Sequence, residues 1–145
     1  MGINQRISPV EIHKIGVKAV VEFLRRSGHK VVTVNTHPKS NPQIVACMDR
    51  ELAFIIVRTA NFPRKGCLFT ETIIRRMVAH ASSHKAVCYF ASLGVTNLET
   101  GLDYETEGSA YFPDGMIVAI EGVDYFISFS GLEMLTTSRD RFWQN

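Results

Sequence analysis

The stretch Ser8-Pro9-Val10-Glu11 narrows most what this chain can fold into, because it combines a capping Ser, a Pro at the first helical position and a Glu three residues after the cap. A helix has to begin there. Behind it Ile12, Ile15, Ala19, Val20, Phe23 and Ser27 recur at three- and four-residue steps, while Lys14, Lys18, Glu22, Arg25 and Arg26 fall largely on other faces. Gly28 supplies the stop, so the helix is predicted over residues 9–27.

Beyond Gly28 the period changes from helical to extended. Residues 30–34 are β-branched and end at Asn35, ahead of a loop carrying Pro38 and Pro42. The apolar runs 43–48 and 52–58 flank Asp49-Arg50-Glu51 and read as a hairpin, which makes three successive strands. After a loop over 61–69, Thr70 caps a second helix whose stripe is Ile73, Ile74, Met77, Val78 and Ala81, with Arg75, Arg76 and His80 beside it and Ser82-Ser83 weakening its end. Residues 86–93 read as a buried strand stopped by Gly94. The polar segment 96–113 is long for a loop, and poor order is the expectation there. Residues 116–121 and 125–130 form a second hairpin around Gly122-Val123-Asp124. The stretch 132–145, with Phe142 and Trp143, is expected to close the chain as a short helical turn or a docked tail.

The 145 residues, 46% hydrophobic and 21% charged, suit one packed domain over residues 1–145 rather than a disordered chain. Sixteen Lys and Arg against fourteen Asp and Glu leave +2, too little to demand a polyanionic partner. No apolar run approaches the ~20 residues of a membrane span. Met1-Gly2-Ile3-Asn4-Gln5-Arg6 has no apolar signal core, and Arg6 stands where myristoylation needs Ser or Thr. No membrane association and a cytoplasmic location are the expectations. Cys47, Cys67 and Cys88, odd in number and widely spaced, read as free thiols.

The deduced order, α-β-β-β-α-β and then a β-hairpin, is a mixed α/β pattern with helices covering a sheet. It resembles the restriction-endonuclease-like (PD-(D/E)XK) superfamily, whose core is αβββαβ. The nearest likeness is to YraN-like and Holliday-junction-resolvase-like members, which carry G-E-x-x-A-x-x-x-L on the first helix and E-I-D-x-I…F-V-E-V-K-T on a hairpin. The matching stretches are Gly16-Val17-Lys18-Ala19-Val20-Val21-Glu22-Phe23-Leu24, Gln43-Ile44-Val45-Ala46-Cys47 and Phe54-Ile55-Ile56-Val57-Arg58-Thr59. By that resemblance the helix Glu falls on Val17, the metal-binding Asp on Val45, and the Glu and Lys of E-x-K on Ile56 and Arg58. Every acidic position is aliphatic. Two-residue spacing on a strand puts Ile56 and Arg58 on one face. A branched alkyl group beside a fixed cation offers Mg²⁺ none of the hard oxygen ligands it needs, and without the metal nothing activates the attacking water. The expectation is a nuclease-like fold that has lost catalysis and serves as a nucleic-acid-binding or assembly module with no cofactor.

Two alternatives stay open. One is an active Mg²⁺-dependent endonuclease whose carboxylates have migrated, for instance to Glu22, Asp49 or Glu51; the other is a structural or protein-interaction domain. Arg58, Arg64, Lys65, Arg75 and Arg76 lie between the third strand and the second helix and are the candidate nucleic-acid contacts. No metal site is expected. His80, His84 and Cys88 recur at four-residue steps, but the middle Glu of a zincin motif is absent and Cys88 falls on the next strand, so helix-end histidines are the better reading. Asp103, Glu105 and Glu107 fit a solvated acidic loop rather than an EF-hand. Tyr125, Phe126, Ile127 and Phe129 make the last hairpin more apolar than a lone edge requires, which points to cover by the Phe142-Trp143 tail or by a homodimer partner.

Overall fold

A computed structural model of the chain describes residues 8–37, 41–67, 70–98 and 115–135. The first helix, α1, runs Pro9–Arg26. Ser8 caps it by accepting a hydrogen bond from the Glu11 N–H (3.2 Å), and Arg25 and Arg26 stand at the negative end of its dipole. Strands β1 (Lys30–Val34), β2 (Ile44–Met48) and β3 (Glu51–Asn61) come next, then helix α2 (Glu71–Ser83), β4 (Ala86–Asn97), β5 (Gly115–Ile120) and β6 (Val123–Met134). Thr70 caps α2 through the Ile73 N–H.

The expected α-β-β-β-α-β order is therefore the observed one, in a mixed α/β fold. The strands form one six-stranded sheet in the order β1-β2-β3-β4-β6-β5. Neighbours are antiparallel except β3 and β4, which run parallel and are joined across the sheet by α2.

Several boundaries differ from the sequence reading, β3 for instance running to Asn61 rather than Arg58, and three have a clear local reason. The turn between β5 and β6 holds two residues, not three. Glu121 (φ 52°) and Gly122 (φ 82°) both take the left-handed conformation of a tight primed turn, which frees Val123 and Asp124 to join β6. Asp49 (φ 52°) and Arg50 (φ 70°) make the same turn between β2 and β3. Residues 132–134, expected in a helical turn or tail, continue β6 and pair with Tyr89, Phe90 and Ala91, because β4 extends far enough to hold them. The strand β4 also runs past Gly94, which does not stop it. The Arg64 carbonyl lies close over Gly94, where a Cβ would stand, so the glycine serves close approach. The expected acidic loop, apart from its first residues, and the Phe142-Trp143 tail lie outside the described residues.

Alternation along the strands splits the interior between the two faces of the sheet. On one face Ile12, Val17, Val20 and Leu24 of α1 meet Ile44, Ile55, Val57, Leu93, Val95 and Ile127. On the other, Met77 and Ala81 of α2 meet Phe54, Ile56, Cys88, Phe90 and Leu135. Among the described residues the last hairpin packs against α1 and the turn after β3, while the Phe142-Trp143 tail named as its cover lies outside them. Tyr125, Ile127 and Phe129 join the α1-side cluster, Phe129 packs edge-on to Phe23 with centroids 5.0 Å apart, and Phe126 packs edge-on to Phe62 at 5.2 Å. Among the described residues no helix is long and apolar enough to cross a membrane.

Candidate functional site

Both helices leave an opening beside the sheet. α1 closes onto β3 and β4 but leaves a cleft of about 370 Å³ against the β5–β6 hairpin, lined among others by Lys14, Ile15, Ile120 and Tyr125, and α2 leaves one over β3. Between α2, the middle of β3 and the segment that leads into β2 lies this second cleft, of about 330 Å³. Its floor is Phe54 and Ile56 from β3 with Ile73 and Met77 from α2, and Arg58, Arg76, His80, Asn41 and Pro42 complete the lining. No carboxylate among the described residues lines it.

Arg58 is held in place by a closed set of hydrogen bonds. The Val57 N–H donates to Gln43 Oε1 at 2.8 Å, which leaves Gln43 Nε2 as a donor toward Asn41 Oδ1 at 3.4 Å. Arg58 Nη2 donates to the same Asn41 oxygen at 3.2 Å, and Nη1 donates to the Val57 carbonyl at 3.0 Å. Gln43 is 1% exposed, so the anchor of this chain of bonds is fixed inside the protein. From the outer side, Gly66 packs against the Arg58 carbonyl, where any Cβ would collide with backbone. The guanidinium thus has two of its five N–H donors committed to neutral oxygens and keeps the others available. No carboxylate of the described residues pairs with it, and burial lowers its pKa from the usual arginine value. A desolvated cation without a counter-charge is costly, and an anion arriving in the cleft would relieve that cost.

The residues singled out from sequence separate clearly. Val45, Ile56 and Arg58 share the α2 side of the sheet, as the two-residue spacing demands, whereas Val17 is fully buried on the α1 side. α1 packs that closely because Gly16 sits against Thr59, where a side chain would clash. Of the five basic candidates, Arg58 and Arg76 line the cleft. Arg75 is exposed on α2 and does not line it, Arg64 is exposed in the turn after β3, and Lys65 Nζ donates to Ser130 Oγ of β6 at 2.9 Å.

Glu22, Asp49 and Glu51 do not gather at Arg58. Glu22 pairs with Arg26 at 2.9 Å and stands about 13 Å along α1 from His13, the α1 residue whose imidazole feels Arg58. Glu51 opens β3, about 23 Å along the strand from Arg58 at ~3.3 Å per residue, with Asp49 in the turn beyond it.

His80 and His84 stand at the end of α2 and pack at a tilt against Phe54, each with its ring centroid 5.4 Å from the phenyl and 4.9 Å from the other. Cys88 is buried on β4, where desolvation pushes its thiol up to about 11, so it is a neutral thiol at physiological pH. No three His, Cys, Asp or Glu among the described residues are gathered as a metal would require.

A family model matches residues 10–135, described as a domain of unknown function, DUF8840. The chain belongs to DUF8840. The match runs from α1 to the residue after β6, so both faces of the sheet and the whole cleft lie within the family's unit. No curated protein and no solved structure matches the chain.

Asn41, Gln43 and His13 escape a sequence reading. Gln43 carries the one available signal, a polar residue at the head of an apolar strand. His13 sits on the helix face as a buried residue, 5% exposed, and its Nε2 has no hydrogen-bond partner among the described residues. Burial first, then the neighbouring Arg58 and His37, hold its pKa below the ordinary histidine value.

Proposed function

We propose that this chain is a non-catalytic nucleic-acid-binding module, built on a nuclease-like topology in which recognition by fixed cations has replaced metal-dependent chemistry. The observation that carries the reading is Arg58: a half-buried guanidinium, held by Gln43 and Asn41, with no carboxylate of the described residues beside it and with Arg76 and His80 on the same cleft. The planar fork of Arg suits two oxygens of one phosphate, which a Lys at this position would meet only as a point charge. The strand order with β4 parallel to β3 supports the likeness to the PD-(D/E)XK core, and the aliphatic Val45 and Ile56 support the loss of metal binding.

The test is a gel assay with labelled single-stranded, duplex and branched DNA, with and without Mg²⁺ or Mn²⁺, run natively for retardation and under denaturing conditions for cutting. Retarded but uncut DNA, with retardation fading as salt rises, is the expected result. Cutting that depends on the metal and is abolished by replacing a named carboxylate of this chain overturns the non-catalytic reading. Neither retardation nor cutting removes nucleic acid as the ligand and leaves a protein-interaction role.

A further inference from the structure

Resting on that reading, we infer that the cleft takes the end of a strand: a single terminal nucleotide carrying a phosphomonoester, its phosphate on Arg58 and Arg76 and its base on the floor of Phe54, Ile56 and Met77. Size sets the first limit. At about 330 Å³ the cleft lies at the lower end of the ~300–1,000 Å³ of ligand pockets, which admits one nucleotide and excludes a duplex.

Charge sets the second. A phosphodiester inside a strand carries a single charge, whereas a terminal phosphomonoester carries about −1.5 to −2 near pH 7. Two arginines from different elements, with His80 beside them and no carboxylate among the described residues of the lining, match the doubly charged group. Asn41 adds direction. Because its Oδ1 already accepts from Arg58 and Gln43, its amide nitrogen is the free end and presents further donors beside the guanidinium. The third limit is depth. Arg58 is half-buried at the wall of the cleft, so the phosphate that reaches it must ride on a slender group, and the apolar floor gives the base its own desolvated surface.

Fluorescence anisotropy with the full chain tests this. The probes are one labelled oligothymidylate in three forms: phosphorylated at the 5′ end, phosphorylated at the 3′ end, and with hydroxyls at both ends. At least one phosphorylated form should bind about tenfold more tightly than the hydroxyl form, and thymidine monophosphate should compete far better than inorganic phosphate. Arg76→Gln, on an exposed helix position that leaves folding intact, and Arg58→Gln should each erase the preference for the phosphorylated end. Equal affinity for all three forms overturns the inference while leaving nucleic-acid binding in place, and so does a preference that survives both substitutions. Inorganic phosphate or an alkyl phosphate competing as well as the nucleotide removes the role of the base. Absence of binding to every probe overturns both this inference and the reading it rests on.

Discussion

The two faces of this sheet are made by the same strands and end differently. Ile55 and Val57 of β3 point into the α1 side, where both are essentially fully buried, and Gly16 lets the helix close onto Thr59. Phe54, Ile56 and Arg58 point to the α2 side, where a smaller cluster stops short and leaves a cleft. α1 contributes nine buried residues and α2 two. The difference teaches a division of labour along one strand: the α1 side supplies most of the apolar burial, which frees the α2 side to hold a cation that stabilises nothing by itself.

Ile55 and Ile56 put that division to its hardest test, since they are adjacent, chemically identical and buried on opposite faces. Ile55→Ala should cost about 4 kcal/mol, near the upper end for Ile-to-Ala changes in a closed core, and Ile56→Ala about 2 kcal/mol, because the space it leaves opens into the cleft. Chemical denaturation of both variants checks it, and equal losses would erase the distinction between the faces.

Gln43→Leu comes next. It strands the Val57 N–H and releases Asn41, so a loss of about 1–3 kcal/mol is expected. DNA affinity measured on the folded variant should fall as well, since Arg58 loses its orientation. Unchanged affinity would show that the guanidinium needs no holding.

His13 sharpens the comparison with a smaller effect. Its folded pKa lies below the ordinary value of 6.5, so the unfolded chain takes up the proton first as pH falls. Its contribution to stability is therefore fully present above about pH 6.5 and is lost as pH drops from there toward the folded value. Between about pH 7.5 and 5.5 the melting temperature of the wild type should fall by a few degrees more than that of His13→Leu. Parallel pH profiles would mean that His13 keeps its ordinary pKa in the fold.

Much of this architecture is legible in the sequence because local rules agree with it. Ser8-Pro9 and Thr70 cap the two helices, and the β-branched runs become β1 to β3. The boundaries that differ are set by pairing rather than by local preference: β6 reaches Met134 because β4 offers partners that far. The site is legible only in part. Spacing alone puts Ile56 and Arg58 on one face, but nothing in the order of residues says that Arg64, Lys65 and Arg75 lie away from the cleft while Arg76 lines it. Val17 shows the same limit from the other side, since a position suggested by resemblance lies across the sheet from its supposed companions. Gln43 and Asn41 act through a hydrogen-bond chain that exists only once β2 and β3 are paired.

The most direct test of the central claim, that the α2-side cleft binds nucleic acid through fixed cations, is the salt dependence of single-stranded DNA affinity for wild type and for the Arg58→Gln/Arg76→Gln double variant, with and without Mg²⁺. Uncut DNA throughout and an affinity that weakens with salt are the expected result. The double variant should bind about tenfold or more weakly, with a shallower salt slope. Equal affinities and equal slopes for the two proteins, or strand scission on adding Mg²⁺, would contradict it.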